Sequence, residues 1–197
     1  MDFFKTILTV FPLVGFFIIL NKYLKLRASR PLASGKGLNV EIERKFLVDK
    51  DKLPSNLKNK SAVFELKQSY IAYSPEIRLR NADNRNFIFT MKSKNDDSGL
   101  VRNEIEFPIS KDEYKELEAK ADVNVINKTR YHYNDNGHVI IVDFYKEKHE
   151  GLITAEVEFN TIEEANAFIP PEWFSKEVTT IPSFKNANLA KNADLPF

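Results

Sequence analysis

The chain has 197 residues, with 29 Lys and Arg against 28 Asp and Glu, a formal net charge of +1 and no cysteine. That length has room for one ordinary domain, and sparse Gly and Pro exclude a collagen-like or disordered chain. The lack of cysteine excludes disulfide frameworks and thiolate metal sites. Charge is uneven: residues 1–30 hold five basic residues against Asp2, an excess of +4, which leaves −3 for the rest. A slightly acidic body is a poor general binder of nucleic acid.

In chain order, the first feature is an uncharged, largely apolar run from Thr6 to Leu20, reaching Phe3 if Lys5 snorkels, then Lys22, Lys25 and Arg27. The run is short of the roughly 20 residues that span a bilayer comfortably, and Pro12 and Gly15 are tolerated in such helices. Positive charge after the apolar run, not before it, argues against a cleaved signal peptide. Residues 1–30 are therefore expected as an N-terminal hydrophobic helix anchoring the chain in the inner or cell membrane, single-pass, through residues 3–20, and the positive-inside rule puts the N-terminus outside. The C-terminal body is expected in the cytoplasm; the alternative is a wholly cytoplasmic protein. Residues 31–38, with Pro31, Ser34, Gly35 and Gly37, read as a linker, and residues 39–197 as the domain.

The domain is rich in β-strand signals, over about 39–48, 63–73, 76–81, 86–94, 100–108, 125–133, 138–146 and 152–160, an antiparallel meander. Asn134-Asp135-Asn136-Gly137 is a hairpin turn, since Asn and Gly accept positive φ. Ser110 to Glu113 and Thr161 to Glu164 are capping boxes that open helices. Alternate residues of a strand point to opposite faces, so Glu41, Glu43 and Lys45 share one face while Ile42, Phe46 and Val48 share the other. Arg78 with Arg80, Arg102 with Glu104 and Glu106, Lys128 with Arg130, and Glu156 with Glu158 repeat the pattern. The apolar partners Ile77, Leu79, Ile105, Val157 and Phe159 can form a buried face, which puts the charges together on the opposite side. The expectation is an α+β fold: an eight-stranded antiparallel β-barrel with helices packed outside and charges lining the bore. A mixed lining suits a polyanion with divalent cations, because carboxylates hold metal while Arg and Lys hold phosphate oxygens. His132, His138 and His149 show no ligand spacing, so oxygen donors and a hard cation are expected.

Glu41-Ile42-Glu43-Arg44-Lys45 is an E-x-E-x-K signature, and residues 39–190 resemble the CYTH superfamily, the triphosphate tunnel metalloenzymes. Further blocks follow in that family's order: Gln68-Ser69-Tyr70, Glu76 to Arg80, Thr90-Met91-Lys92, Arg102 to Glu106, Lys128 to Tyr131, Val142-Asp143-Phe144, Ala155 to Phe159 and Trp173 to Thr179. The resemblance is closest to short bacterial members that hydrolyse inorganic triphosphate. It implies an eight-stranded tunnel open at both ends, with Mg²⁺ or Mn²⁺ inside. The chain departs from the pattern at Ser69 and Ser175, where glycine is usual, and at Ile181 and Phe184, where Asp and Tyr are common.

The resemblance also implies roles. Glu41, Glu43, Glu156 and Glu158, joined by Asp143, would coordinate a divalent cation, and Glu106 with Glu104 a second one. Arg78, Arg80, Lys92, Arg102, Lys128 and Arg130 would clamp the phosphates, guanidinium groups being matched to phosphate oxygens. Lys45 and Tyr70 would act as a coupled general base toward the attacking water. The implied reaction is metal-dependent hydrolysis of a small-molecule triphosphate, first of all tripolyphosphate to pyrophosphate and phosphate. Class IV adenylate cyclase, thiamine triphosphatase and a non-enzymatic polyphosphate or nucleotide binding module are the alternatives.

Overall fold

The computed structural model describes residues 39–92 and 101–191. The chain divides into units 1–37 and 38–197, and the expected N-terminal helix and linker lie outside the described residues. Among the described residues no helix is long and apolar enough to cross a membrane. The single-pass anchor and membrane location expected from residues 3–20 are corrected to that finding alone, no spanning helix among the described residues, and are not carried forward.

Nine antiparallel strands form one sheet: β1 Asn39–Val48, β2 Ala62–Tyr73, β3 Glu76–Ala82, β4 Asn86–Lys92, β5 Val101–Ile109, β6 Ile126–Asp135, β7 His138–Tyr145, β8 Ile153–Glu158 and β9 Phe174–Glu177. Their order is β5-β4-β3-β2-β6-β7-β8-β1-β9, with a further β5–β1 pairing. The expected eight-stranded barrel is therefore corrected to a nine-stranded sheet, and the reason is β1. One edge of β1 takes β8 through Glu43 to Leu47; the other takes β5 through Asn39 to Ile42 and then β9 at Phe46 and Val48. The short ninth strand covers the stretch of β1 that β5 leaves without a partner, where open backbone groups would otherwise face water or another chain.

Strand alternation sorts side chains as their polarity predicts. On one face Phe46, Tyr133, Ile140, Val142, Ala155 and Val157 pack with Ala165, Trp173 and Phe174. Farther along, Phe89 stacks on Phe107 with ring centroids 5.0 Å apart, and Phe87 meets Tyr114 at 4.9 Å. Burial of this apolar face drives the fold and commits the charged residues to the other side, because a one-residue slip would exchange the faces.

Among the described residues four short helices punctuate the strands: α1 Leu57–Lys60, α2 Lys111–Glu118, α3 Ile162–Ala167 and α4 Asn186–Lys191. Ser110 and Glu113 exchange the two capping-box hydrogen bonds that start α2. Thr161 accepts from Glu164 N at α3, while the Glu164 carboxylate reaches back to Asn160 N at 3.0 Å, one residue beyond a true box. The β6–β7 hairpin turns on Asn136 and Gly137, with φ of 47° and 84°. Arg44, the one residue of Glu41 to Lys45 that is neither site candidate nor apolar, points away from the charged face. It pairs with Glu177 of β9 at 2.6 Å and donates to the carbonyls of Ala165 and Phe168.

The C-terminal segment crosses the charged face near the end of β1. Val178, Phe184, Leu189 and Ala190 pack there with Tyr70, Ile126, Tyr145 and Leu152, so apolar packing occupies an end that the resemblance left open. Leu189 is 1% exposed, and Leu189→Ala should cost about 2–5 kcal/mol of stability. Urea unfolding checks this; a loss below about 1 kcal/mol would mean that the segment is not tightly packed.

Candidate active site

The charged face encloses a polar cavity of about 60 Å³, bounded by Glu41, Glu43, Lys45, Arg78, Lys92, Arg130, Glu156 and Glu158, with Glu76, Thr179, Lys185 and Asn186 at its margin. The register explains the grouping. Lys45 lies opposite Glu156 and Glu43 opposite Glu158 on β1 and β8, Arg130 lies opposite Asp143 on β6 and β7, and Lys92 lies opposite Glu104 on β4 and β5. Each cross-strand pair brings side chains within interaction range.

Most expected bases have acidic partners. Asp143, fully buried, is held by Lys128 Nζ at 2.6 Å and by both Nε and Nη2 of Arg130 at 2.7 Å. Lys92 contacts the two oxygens of Glu41 at 2.9 and 2.6 Å and Glu104 at 3.4 Å. Arg80 Nη2 bonds Glu106 at 2.9 Å, and Thr90 donates to the other Glu106 oxygen at 3.1 Å. Lys45 Nζ reaches Glu156 at 3.0 Å, and Arg130 reaches the same carboxylate at 3.4 Å. The side chain of Arg102 lies outside the described residues; its backbone pairs with Glu41.

Two groups are left short. Arg78 is buried, yet its contacts are long, 3.8 and 3.9 Å to Glu104 and Glu106 and 3.5 Å to the Thr90 hydroxyl, and its Nε has no hydrogen-bond partner among the described residues. Glu43 and Glu158 face each other across the β1–β8 ladder, and among the described residues neither carboxylate has an ion pair. Burial, then the charges of Glu156 and Glu41, push Glu43 up to about 7. A buried guanidinium with only long contacts can take a closer anion, and crowded carboxylates can take a cation.

Other titrations follow from the same packing. Burial opposes the charge of Glu156, but Lys45 and Arg130 outweigh it and hold the carboxyl down at about 2. Burial likewise opposes the Lys45 ammonium, and Tyr145 and Glu156 reverse the balance, keeping it above the ordinary lysine range. Lys128 goes the other way: burial outweighs Asp143, Arg130 adds to it, and the amine falls to about 7. Asp143 is held below the carboxylate range, burial being overcome by Arg130 and Lys128.

The structure separates Tyr70 from Lys45's hydrogen-bonding shell. Tyr70 is fully buried in the apolar cluster, stacked on Tyr73 at 5.4 Å, and its hydroxyl has no hydrogen-bond partner. The phenol that touches Lys45 is Tyr145, at 3.4 Å. Tyr145 could have been read from alternation, since it shares a strand face with Asp143. Thr179 stands out in the sequence only as the end of the Trp173 to Thr179 block, and nothing marks Asn186: both arrive through the C-terminal segment, where Thr179 Oγ1 accepts from Lys45 N at 3.0 Å and Asn186 accepts from the Tyr145 hydroxyl at 2.5 Å.

Among the described residues no three acidic or histidine side chains converge as a ready metal cage. The donor chemistry nonetheless fits a divalent cation: all the donors are carboxylate oxygens, which hard cations prefer, and among the described residues no ion pair within 4.0 Å holds Glu43 or Glu158. Beside this site lies a more apolar cavity of about 430 Å³, bounded by Phe64, Leu66, Ile88, Pro108 and His132, with Arg80 and Arg130 in its wall. Arg130 borders both cavities.

Crowded carboxylates and a guanidinium with only long contacts share one face of an antiparallel sheet, an arrangement whose chemistry suits an anion together with a cation. The chain belongs to the CYTH domain family, whose profile matches residues 39–181. It is 34% identical over 155 residues to an inorganic triphosphatase of Acetivibrio thermocellus, covering 77% of this chain and 94% of the relative. Identity to an inorganic triphosphatase of Nitrosomonas europaea is 35% over 154 residues, covering 76% and 96%. A crystal structure of an inorganic triphosphatase superposes with a TM-score of 0.57 at 31% identity, over 80% of this chain and 98% of that one.

The elevated Glu43 predicts a pH signature. Its carboxyl titrates at about 7 in the folded chain against an ordinary value of 4.5, so unfolding releases a proton across that window and stability falls as pH rises through it. With chelator present, Glu43→Gln should match the wild type in melting temperature near pH 4 and exceed it above pH 7. Parallel pH profiles in differential scanning calorimetry would show that Glu43 is not crowded.

Proposed function

We propose that this chain is a divalent-metal-dependent triphosphatase whose substrate is inorganic tripolyphosphate, cleaved to pyrophosphate and phosphate. One observation carries the reading: the underused Arg78 guanidinium and the uncompensated Glu43–Glu158 pair share a face, so anion and cation each satisfy what the fold leaves open. The relatives named inorganic triphosphatase support the same reading.

In this reading Arg78, Arg80, Lys92 and Arg130, with Arg102, grip phosphate oxygens, and Lys128 and Asp143 hold Arg130 in place. Glu41, Glu43, Glu156 and Glu158 hold the cation, Mg²⁺ or Mn²⁺, and Glu104 with Glu106 a second one. A cation held there would supply positive charge to the phosphate oxygens. Lys45, whose charge Tyr145 and Glu156 sustain, would in its neutral form take a proton from the attacking water, with the Tyr70 hydroxyl in range of its charge. Phosphoryl transfer asks mainly for positioning and charge stabilisation, which a rigid sheet face provides.

A second reading, a triphosphate bearing an organic group such as thiamine triphosphate or ATP, is favoured by the apolar cavity that shares Arg130 with the charged site. One assay decides between them: phosphate and cyclic AMP release by the full chain from tripolyphosphate, ATP and thiamine triphosphate, with Mg²⁺ or Mn²⁺. Tripolyphosphate should be hydrolysed with the highest kcat/KM, and chelator should abolish turnover. Lys45→Ala should bind tripolyphosphate normally and lose about 10²–10⁴-fold in kcat, the usual worth of a general base. No phosphate release from tripolyphosphate with either metal would overturn the first reading, and a higher kcat/KM for an organic triphosphate would establish the second.

A further inference from the structure

We propose that Tyr145 and Asn186 are positioning residues that hold the Lys45 amine in place, so that the C-terminal segment forms part of the active site. The inference rests on the triphosphatase reading for its consequence in turnover, but its geometry stands independently. Among the described residues Lys45 Nζ has two near partners, Glu156 at 3.0 Å and the Tyr145 hydroxyl at 3.4 Å. A phenol has a single proton to give. Tyr145 gives it to Asn186 Oδ1, at 2.5 Å, which leaves the phenol oxygen facing Lys45 as an acceptor.

Asn186 is placed by tertiary packing. It begins α4, whose Leu189 and Ala190 are buried in the C-terminal cluster, and the Leu189 carbonyl meets His149 Nε2 at 3.0 Å. The same segment grips the Lys45 backbone: Val178 N donates to Lys45 O at 2.8 Å and Lys45 N donates to Thr179 Oγ1 at 3.0 Å. The ring of Tyr145 is fixed as well, with Lys128 Nζ 5.3 Å from its centroid. A cation over a ring face is attracted by the ring's quadrupole. Lys45 is thus located by its strand, its counter-ion and a hydroxyl whose direction depends on a residue 141 positions later in the chain.

If Asn186 acts only through Tyr145 and Tyr145 only through Lys45, their removal should not be additive. Tripolyphosphate hydrolysis with Mg²⁺ by the full-length variants reads this out. Tyr145→Phe should lower kcat about 10-fold with KM within about twofold, the pattern of a group that acts in the transition state and not in binding. Asn186→Val should lower kcat in the same sense, and the double variant should be no slower than Tyr145→Phe alone. A second readout needs no turnover: the side-chain ¹⁵N–¹H resonance of the Lys45 ammonium in metal-free protein, identified by its absence in Lys45→Arg, should shift or vanish in Tyr145→Phe and in Asn186→Val. Wild-type turnover with an unchanged kcat in Tyr145→Phe, or with multiplicative losses in the double variant, overturns the inference. If the wild type hydrolyses nothing, the triphosphatase reading falls, and an unmoved Lys45 resonance then overturns the positioning role separately.

Discussion

Charges confined to one face of a sheet must be compensated there, because the opposite face is committed to apolar packing. In this chain compensation is uneven. Asp143 has more positive charge around it than it can neutralise, with Lys128 and Arg130 both within 2.7 Å. Glu43 and Glu158 have too little, and Arg78 lies too far from its acids for a strong ion pair. A half-buried carboxylate and a buried guanidinium with only long contacts cost free energy, which a ligand can offset, while Glu158 at the exposed end of its strand adds to the crowding. A phosphate chain carrying its own divalent cation meets both shortages at once, whereas a lone anion or a lone cation meets only one.

The C-terminal segment gives this face its second constraint. It packs apolar side chains against Tyr70, Ile126 and Tyr145, and it sends Thr179 and Asn186 into the polar cavity. Packing and chemistry are therefore coupled: what buries Leu189 also places Asn186, and through Asn186 the phenol beside Lys45. Ile181 and Phe184, two of the four positions where the chain departs from its family's pattern, lie in this stretch, with Phe184 4% exposed in the cluster.

Much of the sheet was legible in the residues, since period-two alternation of charge and apolar side chains states both the strand and its facing. The first eight strands fall within a few residues of their expected spans, and Ser110 starts its helix as its capping box requires. The ninth strand was not legible: Phe174–Glu177 is four residues long and exists because β1 has an edge to fill. For the same reason an eight-stranded barrel was expected and a nine-stranded sheet was found. In the site, the charged residues came together because alternation is local information. The identity of Lys45's phenol did not follow, because Tyr70 and Tyr145 both lie on strands near it and only the register and the C-terminal packing decide which hydroxyl reaches the amine.

Mutual dependence of cation and anion is the property that the unmatched face demands. Isothermal titration of Lys45→Ala protein with tripolyphosphate, at zero and saturating Mg²⁺ and corrected for Mg²⁺–tripolyphosphate association in solution, measures it. Each ligand should tighten the other by about tenfold or more, and by the same factor in either order of addition, as linkage requires. Binding of tripolyphosphate that is indifferent to Mg²⁺, or weakened by it, would contradict a face whose acids and bases are left open for the two together.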